Sequence, residues 1–274
     1  MAAHRPRKRF GQNFLTDANI VAKIVDAIAP APGDRVVEIG PGQGALTARL
    51  LERVAHLDAI EVDRDLAPEV AGLAGAERLA VHAADALTFD FAALAAERGG
   101  PLRVVGNLPY NISSPLIFHL LDQLSAVADM HFMLQREVVD RLGAAPGSKT
   151  YGRLSVMVQA QCRVTPLFRV PPGAFYPVPK VSSAVVRLVP HPADAPRPRD
   201  HAAFSAVVAR AFQARRKTLR NALKGLCPPE RMSAVGVDPG ARAEQLSVAD
   251  FIRLADDALA AAGGNLETHR WSKP

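Results

Sequence analysis

The chain has 274 residues, of which 49% are hydrophobic, so it can build a sizeable core and is not a disordered protein. Cys162 and Cys227 lie far apart and match no metal-binding spacing, which excludes a disulfide framework and favours a reducing compartment. The sequence contains no run of about 20 apolar residues, and its N-terminus lacks the apolar core of a secretory signal. We therefore expect a cytoplasmic protein without a membrane segment.

The basic residues favour a polyanionic partner. The formal net charge is +6 and the sequence pI is about 9.7. Two clusters hold many of these residues: the first is Arg5, Arg7, Lys8 and Arg9, and the second is Arg210, Arg215, Arg216, Lys217, Arg220 and Lys224. A solvated helix face would explain either cluster alone. Two such clusters in one basic chain favour nucleic acid.

Short apolar segments alternate with helix-like segments through the first two thirds of the chain. The predicted strands are RVVEIG, LDAIEVD, LAVHAADAL, RVVGNLP and MHFMLQ. This alternation predicts βαβ units and a parallel sheet, hence an α/β fold. Two further β-like stretches, 156–170 and 184–190, flank the proline-rich loop PPGAFYPVPK. Long loops in compact domains are often functional, so we expect this loop to contribute to a site.

The C-terminal part is predicted to be a small all-helical domain. The proline-rich segment PHPADAPRPRD predicts a linker and divides the chain into residues 1–192 and 193–274. Residues 201–225 are predicted as one amphipathic helix with an apolar face and a basic face. Ser247 and Asp250 match a capping box at the start of a second helix. The side chains predicted to meet phosphates are Arg215, Arg216, Lys217, Arg220 and Lys224.

The first predicted strand ends in the turn EIGPGQG, with glycines at 40, 42 and 44. Such glycines let the backbone approach a ligand closely, although they also suit a tight loop without a ligand. Glu61 follows the second strand, where an acidic side chain can accept both ribose hydroxyls of a nucleotide. Asp85 follows the third strand, within reach of an adenine amino group. Helix capping would also explain these two residues, and their spacing serves NAD or S-adenosylmethionine.

The exit of the fourth strand, Asn107-Leu108-Pro109-Tyr110, favours methyl transfer over hydride transfer. The lone pair of an adenine N6 is delocalised into the ring, so this amine is a poor nucleophile. The Asn107 side-chain oxygen and the Leu108 carbonyl can accept its N–H groups and direct the lone pair at a methyl sulfonium. Pro109 would restrict the backbone that presents them, and Tyr110 would offer a ring on which the extruded base stacks.

The sequence resembles the KsgA/RsmA family of small-subunit (16S) ribosomal RNA adenine N6-dimethyltransferases over nearly its whole length. The motifs that carry the resemblance are GQNFL, VVEIGPGQGALT, IEVDRDL, ADAL, VGNLPYNISSPL, MLQREVVDRL, YGRLSVMVQ, PPGAFYPVPKV and ARRKTLRNAL. Ser182 departs from the family pattern, because relatives commonly have Asp at this position. The departure concerns a local contact of the proline-rich loop and leaves the chemistry unaffected.

The resemblance implies a Rossmann-like class I methyltransferase domain with a mostly parallel seven-stranded sheet. Residues 1–20 would form a basic N-terminal arm that includes GQNFL, and the small helical domain would follow the linker. The implied cofactor is S-adenosylmethionine, with S-adenosylhomocysteine as product. The implied cofactor contacts are Asn13, Leu15, Gly40, Gly42, Glu61, Asp85 and Asn107. The implied catalytic residues are Asn107, Leu108, Pro109, Tyr110 and Phe175, and Phe175 would pack against the target base opposite Tyr110.

The implied reaction methylates N6 of two adjacent adenosines near the 3′ end of small-subunit rRNA. The substrate would be an immature ribosomal subunit, and the enzyme would act as a monomer. This chemistry requires no metal, and His131 is expected to be a core residue. A large-subunit rRNA methyltransferase of the antibiotic-resistance type is one alternative, which the C-terminal match RRKTLRNAL disfavours. A non-catalytic ribosome-assembly factor is another, which the intact cofactor and acceptor residues disfavour.

Overall fold

The computed structural model describes residues 12–73, 75–214 and 216–264. The first basic cluster, Arg215 and the opening part of the predicted N-terminal arm lie outside these residues. No helix in the described part of the chain is long and apolar enough to cross a membrane. Cys162 and Cys227 are both buried and free.

The described strands are β1 (Phe14–Leu15), β2 (Val36–Ile39), β3 (Leu57–Ile60), β4 (Leu79–His82), β5 (Leu102–Asn107), β6 (Val127–Gln135), β7 (Cys162–Val170), β8 (Phe175–Tyr176) and β9 (Ser183–Pro190). The described helices are α1 (Ala18–Ile28), α2 (Ala45–Leu51), α3 (Leu66–Ala71), α4 (Phe91–Glu97), α5 (Ser113–Asp122), α6 (Arg136–Leu142), α7 (Arg153–Gln159), α8 (His201–Phe212), α9 (Leu219–Ala222), α10 (Pro229–Ala234) and α11 (Val248–Ala261). Short 3-10 helices cover Ala76–Arg78, Leu124–Ala126, Pro172–Ala174 and Ala243–Gln245.

Seven of the described strands form one sheet in the order β4-β3-β2-β5-β6-β9-β7. The pairs β2–β3, β3–β4, β2–β5 and β5–β6 are parallel, whereas β9 runs antiparallel to β6. The mostly parallel seven-stranded sheet and the α/β class are therefore confirmed. The chain order reverses between β2 and β5, and sheets of this kind bind ligands beyond the carboxyl ends of the strands at such a point.

Helix α1 shows how the sequence builds the layer that covers the sheet. The Asp17 side chain caps it by accepting the N–H groups of Asn19 and Ile20, at 2.9 and 3.2 Å. Its buried side chains recur every three or four residues and therefore share one face: Val21, Ile24, Val25 and Ile28. They pack in one core cluster with side chains of β2, β5 and β6. Full burial of one such side chain stabilises the fold by about 1.5–3 kcal/mol.

The chain forms two compact units. The first comprises residues up to Val139 together with Val164–Pro190, and the second comprises Asp140–Arg163 and residues from His191 onward. The later boundary falls within the predicted linker. Residues 140–163 lie in the second unit, however, whereas the predicted division at 192 placed them in the methyltransferase domain.

Contacts of Tyr151 explain why residues 140–163 lie in the second unit. Its buried hydroxyl donates to the Leu246 carbonyl at 2.9 Å. Its ring packs in an edge-to-face arrangement with the Phe212 ring of α8. The Phe212 ring centroid in turn lies 5.6 Å from that of Phe251 in α11. The sequence pattern did not indicate these contacts, because Tyr151 lies 61 positions from Phe212 and 95 positions from Leu246, and Phe212 lies 39 positions from Phe251.

The predicted strand at 156–170 is shorter than expected, because residues up to Gln159 belong to helix α7 and strand β7 begins at Cys162. Side chains of α7 bind the preceding backbone: the Ser155 hydroxyl donates to the Arg141 carbonyl, and the Gln159 amide donates to the Leu142 carbonyl at 2.7 Å. A short apolar run does not by itself distinguish a strand from a buried helix. Tertiary contacts select the helix here.

The prediction of one helix over residues 201–225 was wrong, since α8 ends at Phe212 and a separate short helix, α9, begins at Leu219. The backbone N–H of Leu219 donates to the Ala241 carbonyl at 2.8 Å. A continuous helix would commit that N–H to the preceding turn. The contact with the loop at Ala241 therefore belongs to the start of a separate helix and is incompatible with one continuous helix through Leu219.

The predicted start of the last helix is confirmed. The Ser247 backbone N–H donates to the Asp250 carboxylate at 2.8 Å, and the Asp250 N–H donates to the Ser247 hydroxyl at 3.1 Å. This reciprocal pair is the capping box that the sequence indicated. It begins α11, which buries Phe251, Leu254 and Ala258 on one face.

Candidate active site

A cavity in the first unit lies at the carboxyl ends of β2, β3 and β5, where the strand order reverses. Its lining includes nearly all residues that the sequence analysis predicted for the cofactor and the target base in this unit. These residues are Asn13, Leu15, Gly40, Gly42, Glu61, Asp85, Asn107, Leu108, Pro109 and Tyr110. The structure therefore brings together residues from the N-terminal segment and four strand exits.

The glycine turn after β2 shapes one wall. Gly42 has a positive φ of 58°, which an L side chain rarely adopts. A Cβ atom at Gly42 would also lie 3.0 Å from the Phe14 ring, which is tighter than ordinary contact. The backbone N–H of Gly42 donates to Glu61 Oε2 at 3.2 Å. The turn therefore needs glycine at this position, and it joins the N-terminal segment to the end of β3.

Glu61 directly follows β3 and is buried. Its two oxygens accept the N–H groups of Gly42 and Asp63, the latter at 2.9 Å. Burial raises the pKa of the Glu61 carboxyl above its usual value, and the N–H donors partly offset this effect. The residue before α2 is Gly44 and the residue before α3 is Asp65, so Glu61 caps neither helix. The carboxylate keeps acceptor capacity for a ligand hydroxyl, because its two oxygens offer about four lone-pair sites and the backbone N–H groups of Gly42, Val62 and Asp63 leave one of these available.

Asp85 lies in the turn after β4 and lines the cavity. Its Oδ1 accepts the N–H of Leu87 at 2.9 Å, which orients the exposed carboxylate. Helix α4 is capped by Asp90 instead. Helix capping therefore does not explain Asp85, and its carboxylate is positioned to accept from a ligand.

The Asn107 carboxamide has a defined orientation. Its Nδ2 donates to the Asn13 backbone carbonyl at 3.0 Å, so the side-chain oxygen is the end available as an acceptor. The backbone of the next residue is held as well, because the Leu108 N–H donates to the Met133 carbonyl at 3.1 Å. The two predicted acceptors, the Asn107 oxygen and the Leu108 carbonyl, therefore lie at the end of β5, a strand that is hydrogen-bonded to both β2 and β6.

Tyr110 is held by a residue that the sequence analysis missed. The Tyr110 hydroxyl and Ser183 Oγ form a hydrogen bond of 3.0 Å, and the Tyr110 carbonyl accepts from the Ser113 hydroxyl at 3.2 Å. Ser183 is only 1% exposed and is the first residue of β9. It lies next to Ser182, where the sequence departs from the family pattern, and this proximity was the available sequence signal. We conclude that the orientation of the Tyr110 ring depends on β9.

Phe175 requires a correction. It was expected to face the target base opposite Tyr110, but it is 3% exposed and packs in the core with Leu15, Met133 and Val185. It is absent from the described residues that line the cavity. Side chains alternate along a strand, so β8 points Phe175 inward and the next residue, Tyr176, outward.

Two further hydrogen bonds of the cavity wall were not anticipated. The Gln12 amide donates to Asp63 Oδ2 at 3.0 Å, which binds the N-terminal segment to the residues after β3. The Thr47 hydroxyl donates to Glu38 Oε2 at 2.7 Å. Burial, together with the nearby charge of Glu61, raises the pKa of Glu38 to about 7, although the Thr47 hydrogen bond acts in the opposite direction.

His131 is buried, as expected, but it also lines the cavity. Neither ring nitrogen has a hydrogen-bond partner in the part of the chain that the structure describes. Burial lowers the pKa of His131 to about 4, despite the nearby charge of Asp129. The described residues include no group of three or more His, Cys, Asp or Glu side chains that could hold a metal ion.

The residues predicted to meet phosphates lie in the second unit. Arg216, Lys217, Arg220 and Lys224 are exposed, while Arg215 is outside the described residues. They do not share the face of one helix, since the chain between α8 and α9 is a turn. Leu219 and Leu223 are fully buried, so this segment still separates basic from apolar side chains.

Comparisons with known proteins agree with this geometry. Residues 3–258 match the family described as ribosomal RNA adenine dimethylase. The ribosomal RNA small subunit methyltransferase A of Bordetella pertussis is 58% identical over 97% of this chain and 99% of its own. That of Aromatoleum aromaticum is 56% identical over 93% of this chain and 95% of its own.

Two solved structures also resemble the chain. A dimethyladenosine transferase from Plasmodium falciparum has a TM-score of 0.71 at 26% identity and covers 88% of this chain and 95% of its own. The 23S rRNA methyltransferase ErmE has a TM-score of 0.69 at 26% identity and covers 89% of this chain and 99% of its own. Both similarities extend over most of the chain.

Proposed function

The chain belongs to the ribosomal RNA adenine dimethylase family, and from that premise we propose that it methylates N6 of two adjacent adenosines near the 3′ end of small-subunit rRNA. The methyl donor is S-adenosylmethionine, and the products are N6,N6-dimethyladenosine and S-adenosylhomocysteine. The observation that carries the proposal is the Asn107 carboxamide, whose nitrogen is bonded to Asn13 so that its oxygen remains for an incoming amine.

The cavity residues fit a cationic nucleoside cofactor. Carboxylates at two strand exits, Glu61 and Asp85, suit ribose hydroxyls and an adenine amino group, and the glycine turn permits close approach. When bound, S-adenosylmethionine supplies an electrophilic methyl group on a sulfonium. We assign its binding to Asn13, Leu15, Gly40, Gly42, Glu61, Asp85 and Asn107.

In the proposed mechanism the chain prepares the amine for attack. The Asn107 oxygen and the Leu108 carbonyl accept the N–H groups of adenine N6, which localises the lone pair on nitrogen. The amine nitrogen would receive the methyl group from S-adenosylmethionine, which would leave as S-adenosylhomocysteine, and the methylated amine would release its proton to water. After the first transfer one N–H remains to be held, so the same acceptors support the second. Pro109 restricts the backbone and Tyr110 stacks on the extruded base.

The second unit supplies the proposed RNA-binding surface. Residues 193–274 would act as a helical RNA-binding domain, and the basic side chains would neutralise rRNA phosphates. These side chains are Arg215, Arg216, Lys217, Arg220 and Lys224. We further propose that the substrate is an immature small subunit in the cytoplasm and that the protein acts as a monomer.

The large-subunit alternative is not favoured. The chain is 56% and 58% identical to two small-subunit methyltransferases, compared with 26% to the large-subunit enzyme ErmE. A solely non-catalytic assembly role is also disfavoured, because the predicted cofactor residues and the acceptor strand line one cavity.

Labelled S-adenosylmethionine and immature small subunits would test this function. We expect label at N6 of two adjacent adenosines of the small-subunit rRNA, with N6,N6-dimethyladenosine as the final product by mass spectrometry. Large subunits provide the matched control and should remain unlabelled. Label on large-subunit rRNA, on cytosine or on ribose would contradict the proposal. Binding of subunits without any methyl transfer would favour the assembly factor.

A further inference from the structure

The segment from the last residue of β8 to the start of β9 carries an exposed apolar surface. Among the described residues, the exposed large hydrophobic side chains are Val62, Tyr176, Val178 and Val181. Three of these four belong to residues 176–181, which we call the rim loop. Tyr176 is 65% exposed and Val178 is 64% exposed. Apolar side chains concentrated on one exposed segment mark a binding surface.

Both ends of the rim loop are bonded to walls of the cavity. Tyr176 pairs in register with Phe14 of β1, and Phe14 lines the cavity. Ser183, which follows the loop, bonds the hydroxyl of Tyr110. The Tyr176 side chain is not among the described residues that line the cavity. Its ring is therefore not part of the cavity lining, although its backbone pairs with a strand of the cavity wall.

The rim loop has a restricted backbone that is attached to the core on its N-terminal side. Pro177 and Pro179 restrict its backbone, and Pro179 is buried. The preceding residue, Phe175, is anchored in the core, and the Ala174 carbonyl accepts the Thr16 N–H at 2.9 Å. A surface whose backbone is already restricted loses little conformational entropy on binding. Tyr176 is thus presented as a preorganised aromatic ring.

Two exposed basic residues, one on the rim loop and one bonded next to its end, favour a nucleic acid over an apolar protein surface as the partner. Lys180 is exposed within the rim loop, and Arg136 is exposed on α6, where its backbone N–H donates to the Ser182 carbonyl at 3.0 Å. An exposed aromatic ring with neighbouring cations is the arrangement that binds unpaired nucleotides, because the ring stacks on a base and the cations attract phosphate.

We propose that Tyr176 is a stacking platform for the nucleotide next to the adenosine held in the cavity, and that Lys180 contacts the phosphate of that nucleotide. The inference rests on the proposed function. An adenosine that enters the cavity leaves the base stack and exposes one face of its neighbour. Tyr110 lines the cavity and Tyr176 does not, so the two rings serve different nucleotides. Two adjacent adenosines are modified, so each is in turn the neighbour of the other.

A fluorescent RNA hairpin with 2-aminopurine beside the target adenosine would test the platform. Stacking on an aromatic ring quenches 2-aminopurine, so the wild-type protein should quench it. Tyr176→Ala should abolish the quenching and weaken RNA binding about 10-fold, the scale expected for loss of one stacked base. Tyr176→Phe retains the ring and should preserve both signals. Affinity for S-adenosylmethionine should not change in either variant, which also shows that both remain folded.

Several results would overturn the inference. Unchanged quenching and RNA affinity in Tyr176→Ala would remove Tyr176 from the interface. A loss of affinity for immature subunits, with none for the protein-free hairpin, would assign the rim loop to a ribosomal protein instead. Failure of the proposed function would be a different result, since the wild-type protein itself would bind subunits without methylating adenosine N6.

Discussion

Asn107 is the residue on which the proposed chemistry depends most directly. Asn107→Ala should lower the methylation rate about 100-fold, the scale observed when one preorganised polar group is removed from a reacting centre. Single-turnover kinetics would measure the rate at saturating cofactor, because the same residue is also proposed to contact the cofactor. RNA affinity should remain within about 2-fold of the wild-type value, because the Asn107 side chain acts on the reacting amine and not on the rest of the RNA. Asn19→Ala, on the exposed side of α1, is the matched control.

A normal rate in Asn107→Ala would show that the carboxamide does not hold the amine. Mass spectrometry adds a second criterion for the same site. A wild-type product that stops at N6-methyladenosine would contradict the view that one remaining N–H suffices for the second transfer.

Ser183 is expected to act only through Tyr110, because their hydroxyls share one hydrogen bond. Ser183→Ala and Tyr110→Phe should each reduce kcat/KM about 3- to 10-fold, the usual range for one hydrogen bond. The double variant should lose no more than either single variant, whereas independent sites would give additive losses. Ser183→Thr keeps the hydroxyl and should restore activity, and Ser182→Ala is the neighbouring control.

Glu38 should make stability depend on pH. Its carboxyl titrates near pH 7 in the folded protein, compared with 4.5 for the free group, so the folded state binds more protons between these values. The free energy of unfolding therefore falls as the pH rises from 4.5 to about 7, by about 3 kcal/mol at most. Glu38→Gln should remove that loss and unfold later than the wild type at pH 8, but not at pH 4.5. Urea unfolding without cofactor measures the free energy of unfolding of both proteins at pH 4.5 and pH 8. A difference between the two proteins that is the same at both pH values would contradict the assignment.

At the scale of elements, Arg103 joins β5 to β6 and to the chain after α1. Its guanidinium bonds both oxygens of buried Asp129, at 3.0 and 3.1 Å, as well as Asp34 at 2.7 Å and the Ile28 carbonyl at 2.6 Å. These bonds lie at the amino ends of the central strands. They hold together the end of the sheet opposite the cavity.

Arg103→Met should destabilise the fold by about 3 kcal/mol, because it leaves the buried Asp129 carboxylate with the partly exposed Arg187 guanidinium, at 3.1 Å, in place of two bonds from Arg103. Urea unfolding would give the loss of free energy. Arg49→Met is the matched control, since Arg49 pairs with Glu52 on an exposed face of α2, and such pairs contribute about 1 kcal/mol or less. Equal, small losses in both variants would show that the Arg103 cluster is not a stabilising element.

At the scale of the whole molecule, the RNA affinity should depend on salt through the basic segment of the second unit. Replacement of Arg216, Lys217 and Arg220 by Ala should reduce the slope of log K against log salt by about 2, because each lost phosphate contact contributes about 0.7–0.9. Affinity for S-adenosylmethionine should not change. A slope equal to that of the wild-type protein would show that these side chains contact no phosphate and are only solvated surface residues.

Replacement of Arg49 and Arg53 by Ala gives the control for that experiment. Both are exposed in the first unit and face carboxylates, Glu52 and Asp26. Their loss lowers the net charge without removing a proposed phosphate contact. We therefore expect an unchanged slope.

The sequence by itself determined the α/β class, the parallel strands and the residues at their exits. Alternating apolar runs predict βαβ units, and parallel strands bring their carboxyl ends to one edge. Gly40, Glu61, Asp85 and Asn107 could therefore be assigned to one cavity before any contact was known. The capping box at Ser247 was equally local, because its two partners lie three residues apart.

Only the tertiary structure decided which way these groups face. The bond that orients Asn107 joins it to a residue 94 positions away, and the bond that holds Tyr110 spans 73 positions. Similarly, the pairing of β8 with β1 accompanies an inward Phe175 and an outward Tyr176, and the Ala241 carbonyl binds the Leu219 N–H that a continuous helix would have used internally. Local pattern specified the strands of the parallel sheet, but side-chain orientation, helix length and the choice of helix over strand at residues 156–159 depend on other parts of the chain, whose hydrogen bonds and packing outweigh local preference.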